Sequence, residues 1–460
     1  MTVEQKITDR KIGIIGMARS GVAAAVLAES FGGKPFVSDI NSAEKLHTEI
    51  ARLESAGIPY EVGGHTDALL TVDYIVLSPG VPLTIPILQE VRRKGIPIFS
   101  EIEFASWCCK GKIIAITGSN GKTTTTTLLG EIFSSAGFHT FVAGNIGLPF
   151  SEIVRKVPED GIVVLEISNF QLETISDFKP NVAMILNLTP DHIDRHGSFE
   201  NYIKTKFRIT ENQTESDYLI LNADDAETKK YNLQTQAQVK YFSIQTNKTT
   251  EVTVRDNYLS SQTSQIIATD KISILGPHNL QNAAAAVTAS LLFNIENDVL
   301  AKILSTFQPV EHRLENIGTV AGVTFINDSK ATNLDSVSYA LQSVKTKLYL
   351  IAGGRDKGAE FETLAPYGKG KIESIIAIGE AKDKIFNQLG RTFNVLFAET
   401  LQEAVQIAFT KALPGETVLL SPGCASFDMF ENYEHRGREF KLAVASLKNG
   451  KNKNETLSKK

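Results

Sequence analysis

Cysteine is nearly absent from this chain. Cys108, Cys109 and Cys424 are the only three in 460 residues. That is too few for a disulfide framework, and their spacing fits no zinc motif, so a reducing, cytoplasmic setting is expected. No apolar run reaches the roughly 18 residues that read as a membrane-spanning helix, and no span is expected. The opening MTVEQKITDRK is polar and has no apolar signal core. An excess of positive charge is also missing. Against 47 Lys and Arg stand 52 Asp and Glu, a net charge of −5, so no basic field draws in nucleic acid. Internal repeats are absent. So is H-E-x-x-H: His192 and His196 are spaced i, i+4, but no third ligand accompanies them, and an oxygen-rich Mg²⁺ site with one imidazole is the expectation over zinc.

What remains is the alternation of short apolar strands with helical stretches, the pattern of parallel sheets covered by helices. KIGIIG, PFVSD, DYIVLSPGVP and IPIFSE fall in residues 1–105. KIIAIT, GIVVLEIS, NVAMILNLT and DYLILNADD fall in 106–307, as continuous apolar runs suited to strands buried on both faces. The threonine-rich, alternating stretch from Val239 to Ile274 reads as short antiparallel strands of the same unit. VTFINDSKATN, KLYLIAGGRD, SIIAIG, NVLFAE and ETVLLSPGCASFD fall in 308–448. Residues 449–460 are polar and lysine-rich and read as a disordered tail. The expected fold class is α/β, three domains in series.

The stretch TGSNGKTTTT follows the strand KIIAIT. Gly121-Lys122-Thr123 fits the end of a Walker A motif, G-x-x-x-x-G-K-[ST], but Ile116 stands where the first glycine belongs, and the glycine is at Gly118. Strand, turn and helix are nonetheless in the order that aims backbone N–H groups at an anion. A bland glycine turn with a solvated lysine is the competing reading. Glu166 ends the run GIVVLE at a strand tip, where open α/β sheets bind ligands and where Mg·ATP needs a carboxylate. GIIGMARSG, near the N-terminus, is an imperfect dinucleotide fingerprint. Ala18 occupies the position of the second glycine, and a nucleotide-diphosphate group of a substrate fits it better than a redox cofactor.

In order along the chain come TGSNGKTTTT, GNIGLP, EISNFQLE, LNLTPDHIDRHG, YIKTKFRI, GPHNLQN, HRLE, NDSKATN and SPGCASFDMFENYEHRGREF. Together they resemble the Mur ligases of peptidoglycan synthesis, over essentially the whole chain except the tail. NDSKATN, SNFQLE and LSPGVP resemble the branch that adds D-glutamate. The resemblance implies a Rossmann-like first domain for the uridine substrate, a central P-loop-type ATPase domain with a mainly parallel sheet, and a Rossmann-like third domain for D-glutamate. It implies ATP-dependent amide formation between UDP-N-acetylmuramoyl-L-alanine (UDP-MurNAc-L-alanine) and D-glutamate through an acyl-phosphate, with ATP as co-substrate, two Mg²⁺ ions and a monomeric enzyme.

Carried over position by position, the resemblance gives Lys122, His192, Lys206 and Lys330 catalytic roles. Gly118, Ser119, Asn120, Gly121, Lys122, Thr123 and Thr124 would hold the ATP phosphates. Asn279 and Asn282 would lie on the adenine side, and Arg313 and Asp328 would reach ATP from the third domain. Thr123, Glu166, His192 and Lys206 would serve the metals, Lys206 as a carbamate. Ser20 and Asp39 would take the uridine diphosphate, Asn145, Ser168 and Gln171 the muramoyl portion, and Lys330, Thr332, Lys357, Ser426 and Tyr433 the D-glutamate. Ile40 replaces the usual hydroxyl after the aspartate, which leaves the base contact unassigned, and Tyr433 replaces a frequent phenylalanine. Another Mur ligase or folylpolyglutamate synthase is the alternative within the superfamily. Outside it stand a P-loop motor ATPase and an oxidoreductase built on GIIGMARSG.

Overall fold

The computed structural model describes the whole chain except residues 1, 192, 232–233, 246–248, 275, 309–310, 357 and 458–460. It divides into two compact units. One holds Met1–Ile272 and Gln281–Thr306, the other Ser273–Leu280 and Phe307–Lys460.

The first unit contains two sheets. Strands β1 (Lys11–Ile15), β2 (Lys34–Asp39), β3 (Tyr60–Val62), β4 (Tyr74–Leu77) and β5 (Ile98–Ser100) form a five-stranded sheet in the order β3-β2-β1-β4-β5, every pair parallel. The strand order reverses at β1, and ligands of such sheets bind in the crevice beyond the strand C-termini at that point. The chain leaves β1 through Gly16 and enters the helix Arg19–Ser30. A Cβ at Gly21 would overlap the Gly16 carbonyl, so only glycine lets turn and helix approach this closely.

The second sheet has nine strands: β6 (Lys112–Thr117), β7 (Thr140–Gly144), β8 (Ile162–Glu166), β9 (Val182–Ile185), β10 (Tyr218–Asn222), β11 (Gln238–Phe242), β12 (Val252–Arg255), β13 (Tyr258–Ser261) and β14 (Gln265–Ala268). Their order is β14-β13-β12-β11-β10-β9-β6-β8-β7. The Val239–Ile274 stretch departs from expectation in part. β12, β13 and β14 pair antiparallel, but β11 extends the parallel sheet alongside β10. One apolar cluster runs from Ile12, Ile14 and Val37 through Ile102 and Phe104 to Val163, Leu165 and Ile185. Each such side chain contributes roughly 1.5–3 kcal/mol on burial, which makes the two sheets one body.

The second unit carries β15 (Glu315–Val320), β16 (Val323–Asn327), β17 (Leu348–Gly353), β18 (Ile372–Ile378), β19 (Val395–Phe397) and β20 (Thr417–Leu420), in the order β15-β16-β20-β17-β18-β19. Only β15 is antiparallel. The last helix is Tyr433–Leu457, so its backbone takes in residues 449–457 of the stretch read as disordered tail.

Candidate active site

The phosphate loop is built from backbone strain and one asparagine. β6 ends at Thr117, Gly118 takes φ 146°, and Gly121 takes φ 85° as the N-cap of the helix Lys122–Ser135. A Cβ at Gly121 would overlap the Asn282 side-chain oxygen, so this glycine is required by both conformation and neighbour. Asn187, just past β9, braces the loop: Asn120 N–H donates to its Oδ1 at 2.8 Å, and its Nδ2 donates to Asn120 O at 3.0 Å. The helix that follows opens with five threonines, poor helix formers, four of them buried. Packing against the sheet, not propensity, forms it.

Two amines converge on this loop. Lys122 Nζ donates to Gly118 O at 2.8 Å and to Ser119 O at 2.9 Å. Lys206 Nζ, 1% exposed, donates to the same Gly118 carbonyl at 3.0 Å and sits 4.6 Å over the Tyr202 ring. Burial, with Lys122 adding to it, holds the Lys206 amine well below the ordinary lysine pKa, against the opposing pull of Asp191. At the tip of β8, beside β6, Glu166 is 2% exposed. Its Oε1 accepts from Asn145 Nδ2 at 2.8 Å, while its Oε2 is buried without a hydrogen-bond partner among the described residues. Such a carboxylate oxygen beside a phosphate loop suits a hard divalent cation. Thr123 is buried on the first turn of the adjoining helix.

Asn145 also lines a cavity of about 540 Å³ over the C-terminal ends of the first sheet, with Ser20, Asp39, Ile40, His65 and Ser78 among the other walls. The Asp39 carboxylate accepts from Met17 N–H at 2.6 Å and from Asn41 N–H and Nδ2 at 2.8 Å. It thereby ties the glycine turn to the end of β2.

In the second unit, Asp328 follows β16 and is buried. Its carboxylate accepts from Ser421 Oγ at 2.8 Å and from Leu314 N–H at 3.2 Å. Burial pushes its pKa up to about 7, despite these donors and the nearby Arg313. Lys330 Nζ lies 5.3 Å over the Tyr433 ring. The Arg436 guanidinium, 1% exposed, joins the two loops that carry Lys330, Thr332 and Ser426. It donates to Ser329 Oγ at 3.0 Å and Ser329 O at 2.8 Å on one loop, and to Cys424 O at 3.2 Å on the other.

The sequence pattern of the Mur ligase MurD-like N-terminal domain matches residues 10–100, that of the Mur ligase middle domain 116–290, and that of the Mur ligase glutamate ligase domain 312–424. A protein named UDP-N-acetylmuramoylalanine–D-glutamate ligase from Acidobacterium capsulatum is 44% identical over 448 residues, 95% of this chain and 97% of that one. The chain belongs to the Mur ligase family. A Thermoanaerobacter sp. protein of the same name is 43% identical over 96% of this chain and 100% of its own. Among solved structures, MurF from Acinetobacter baumannii superposes with TM-score 0.63 at 17% identity, covering 97% of each chain. The UDP-N-acetylmuramate–alanine ligase MurC from Thermotoga maritima does so with TM-score 0.61 at 19% identity, covering 95% of this chain and 99% of its own. These structural likenesses carry the fold alone.

In this Mur ligase, Gly118 to Thr124, Glu166, Lys206 and Asn282 gather around one loop. Ser20, Asp39 and Asn145 share one cavity. Ser168 and Gln171 engage each other as a capping box on the turn Asn169–Leu172, the Gln171 Oε1 accepting from Ser168 N–H at 2.9 Å. Asn279 is buried on the helix Pro277–Leu291. His192 and Lys357 lie outside the described residues. Glu311, His312 and Glu315 cluster within ligand distance of one another, but Lys441 Nζ already pairs with both carboxylates, 2.7 Å from Glu311 Oε1 and 2.5 Å from Glu315 Oε1.

Sequence reasoning missed Asn187, Arg436, His65 and the buried carboxylates Glu101 and Glu103. Asn187 sits in the quoted LNLTPDHIDRHG and Arg436 in SPGCASFDMFENYEHRGREF. Only their position at strand ends or on a buried helix face would have marked them.

Proposed function

We propose that this Mur ligase joins D-glutamate to UDP-MurNAc-L-alanine at the expense of ATP, in cytoplasmic peptidoglycan precursor synthesis. The observation that carries the reading is the hydrogen bond from Asn145 to Glu166. It links a cavity at the C-terminal edge of the first sheet, fit for a nucleotide-diphosphate substrate, to the phosphate loop of the second. A substrate laid along that cavity presents its far end to the γ-phosphate of ATP.

A carboxylate is a poor electrophile. Its oxygen first attacks the γ-phosphorus, the bond to the β,γ-bridging oxygen breaks, and ADP leaves an acyl-phosphate. The D-glutamate amine then attacks the acyl carbon, phosphate departs, and the amine gives up its proton. Bringing a carboxylate to a polyphosphate sets anions against each other, and cations must offset this. Lys122, whose amine already lies on the loop carbonyls, supplies one. Glu166, Thr123 and Lys206 would hold Mg²⁺, which when bound would neutralise phosphate charge. His192 is assigned with them on the resemblance alone. The uncharged amine favoured at Lys206 is the form that reacts with CO₂, releasing a proton and leaving an anionic carbamate fit to ligate a metal. Lys330, Thr332, Lys357, Ser426 and Tyr433 would hold D-glutamate, their cations and hydroxyls suiting a dicarboxylate. Arg436 positions the loops of Lys330, Thr332 and Ser426.

The test is ADP release by the purified protein with ATP, Mg²⁺ and UDP-MurNAc-L-alanine, screened across L- and D-amino acids. ADP release that depends on both the nucleotide substrate and D-glutamate, and that Lys122→Ala abolishes in a protein of unchanged melting temperature, supports the reading. Hydrolysis indifferent to both acceptors overturns it.

A further inference from the structure

The resemblance leaves the base of the uridine substrate without a reader, because Ile40 carries no hydrogen-bonding atom on its side chain and stands 71% exposed at the rim. The same cavity holds an imidazole that no motif announced. His65 follows β3, the edge strand two places from β1, and lines the cavity with Ile40 and Asn41, whereas the loop of Asn145 borders the helix after β1, Arg19 Nη1 donating to Gly147 O at 3.2 Å. Asn145 marks the reacting end by its bond to Glu166. The diphosphate belongs at the Gly16 turn and the N-terminus of the helix Arg19–Ser30, between the two. A nucleotide so oriented places its base beside His65.

The hydrogen bonds around His65 fix which of its nitrogens is free. Ser38 Oγ, fully buried, lies 2.7 Å from Glu61 Oε1 and 2.7 Å from His65 Nδ1. A hydroxyl has one proton, and the carboxylate is its strongest acceptor here. Glu61 is held in the anionic form by Thr66 as well, whose N–H and hydroxyl donate to it at 2.9 and 2.6 Å. With its proton given to Glu61, Ser38 Oγ can only accept from the imidazole, so Nδ1 carries the hydrogen. Partial burial favours the neutral ring, against the pull of Glu61 and Asp39. Nε2 is then a bare acceptor, and among the described residues it has no hydrogen-bond partner.

We infer that His65 reads the pyrimidine base by accepting a hydrogen bond at Nε2 from the N3–H of uracil. Cytosine presents a lone pair at N3, so the same nitrogen would face it with two acceptors and no proton. Ser38 and Glu61 are positioning residues that hold the tautomer. This assignment rests on the reading of the cavity as the nucleotide-diphosphate site.

The experiment is calorimetric binding of UDP and CDP to the full-length protein, its His65→Ala and His65→Gln variants and its Ser38→Ala variant. Alongside it, kcat and KM are measured for UDP-MurNAc-L-alanine. The unmodified protein is expected to prefer UDP by at least about tenfold, since a site built to pair with a polar group penalises the analogue that leaves it unpaired. His65→Ala should weaken UDP by about tenfold, leave CDP unchanged, raise KM and spare kcat. His65→Gln, which keeps an acceptor, should recover part of the UDP affinity. Ser38→Ala should narrow the UDP-over-CDP ratio by freeing the tautomer. An equal loss of UDP and CDP in His65→Ala would assign the imidazole to the ribose and overturn the inference. So would His65→Ala with unchanged affinity and ratio in a protein whose parent binds UDP. A parent that binds neither nucleotide would instead overturn the reading of the cavity, and the role of His65 with it.

Discussion

Two buried carboxylates of the first unit, Glu103 and Glu166, have opposite surroundings. Glu103 is fully buried beneath the first sheet and is saturated with donors. Trp107 Nε1 and Phe178 N–H donate to it at 2.7 Å, and Ser176 and Asp177 N–H at 2.9 Å. It stitches the short helix Glu101–Ser106 to the loop after Leu172, inside an edge-to-face group of Tyr74, Phe99, Phe104 and Trp107. Glu166, nearly as deep, has one donor and one bare oxygen. Burying an unpaired charged oxygen costs stability. Beside a phosphate loop, a bound divalent cation would offset that cost. Want of donors alone does not set Glu166 apart, since Glu101 Oε2 is bare as well among the described residues; its place at the tip of β8, paired beside the strand that enters the phosphate loop, does.

Neutralising each carboxylate separates the two roles. Glu166→Gln should cut ligation by about 10³-fold, the scale of losing a preorganised charge contact in a transition state. It should leave the melting temperature unchanged or slightly higher, because an unpaired buried charge has gone. A variant that keeps near-parental turnover would remove Glu166 from the chemistry.

Asp328, in the second unit, falls between the two, with two donors and a pKa pushed up to about 7 by burial. Its native pKa lies above the ordinary value of 3.8. From pH 4 to 7 the folded state therefore holds a proton that the unfolded chain releases, and stability falls as pH rises. The shift of about three units corresponds to about 4 kcal/mol in full. Asp328→Asn should remove that slope, so that the variant gains on its parent between pH 5 and pH 8 in chemical unfolding. Parallel pH profiles for the two proteins would show that Asp328 ionises as freely folded as unfolded.

How far the sequence displays these differences depends on their range. Strand–glycine–helix order is local, so β6, Gly118, Gly121 and Lys122 could be read directly, as could the parallel strands with their continuous apolar runs. The β11 pairing was misjudged because QVKYF alternates like a half-exposed strand, whereas its parallel register is set by β10, some twenty residues away. Nothing local sets Glu101 and Glu103 apart from ordinary helix-start acids. Their backbone donors come from Ser151 and from Ser176 to Phe178, segments 50 to 75 residues distant. Arg436 lies on a mostly polar helix and reads as solvent-facing. Only the folded loops, 107 residues away at Ser329, reveal what it holds. The site residues came from the resemblance more than from spacing, since GKT and a strand-end glutamate name a phosphate and a cation but no amino acid.

Glu103→Gln tests the structural role of the saturated carboxylate. An amide offers one acceptor where the carboxylate offered two, and turns an NH₂ group toward backbone donors. A loss of about 3 kcal/mol in unfolding free energy is expected, with kcat measured below the melting transition unchanged. Loss of turnover in protein that remains folded would mean that the joint also serves catalysis.

The smallest effect is expected at the edge of the same joint. Lys6 Nζ contacts Asp177 Oδ2 at 2.6 Å and lies 4.5 Å over the Trp107 ring. Asp177 gives its N–H to Glu103, and Trp107 its indole N–H, so Lys6 touches two members of the saturated cluster. Proximity alone would make it a partner in the 3 kcal/mol. Exposure argues otherwise, because the Asp177 side chain is 62% exposed. Water and salt screen such a pair to a few tenths of a kcal/mol, and the Lys6 ammonium over the indole, on a side chain 17% exposed, adds about 0.5 kcal/mol. Lys6→Met keeps the stem on the ring and removes both charge terms, so it should cost about 0.5–1 kcal/mol. Part of that cost should vanish in 1 M NaCl, where exposed pairs are screened within about 3 Å. In a double-mutant cycle with Glu103→Gln, the two losses should add, because the carboxylate is held by backbone and indole donors that do not depend on the ammonium. A Lys6→Met cost comparable to that of Glu103→Gln, with coupling between the two, would show that the ammonium completes the saturation of Glu103 and that the cluster extends to the surface.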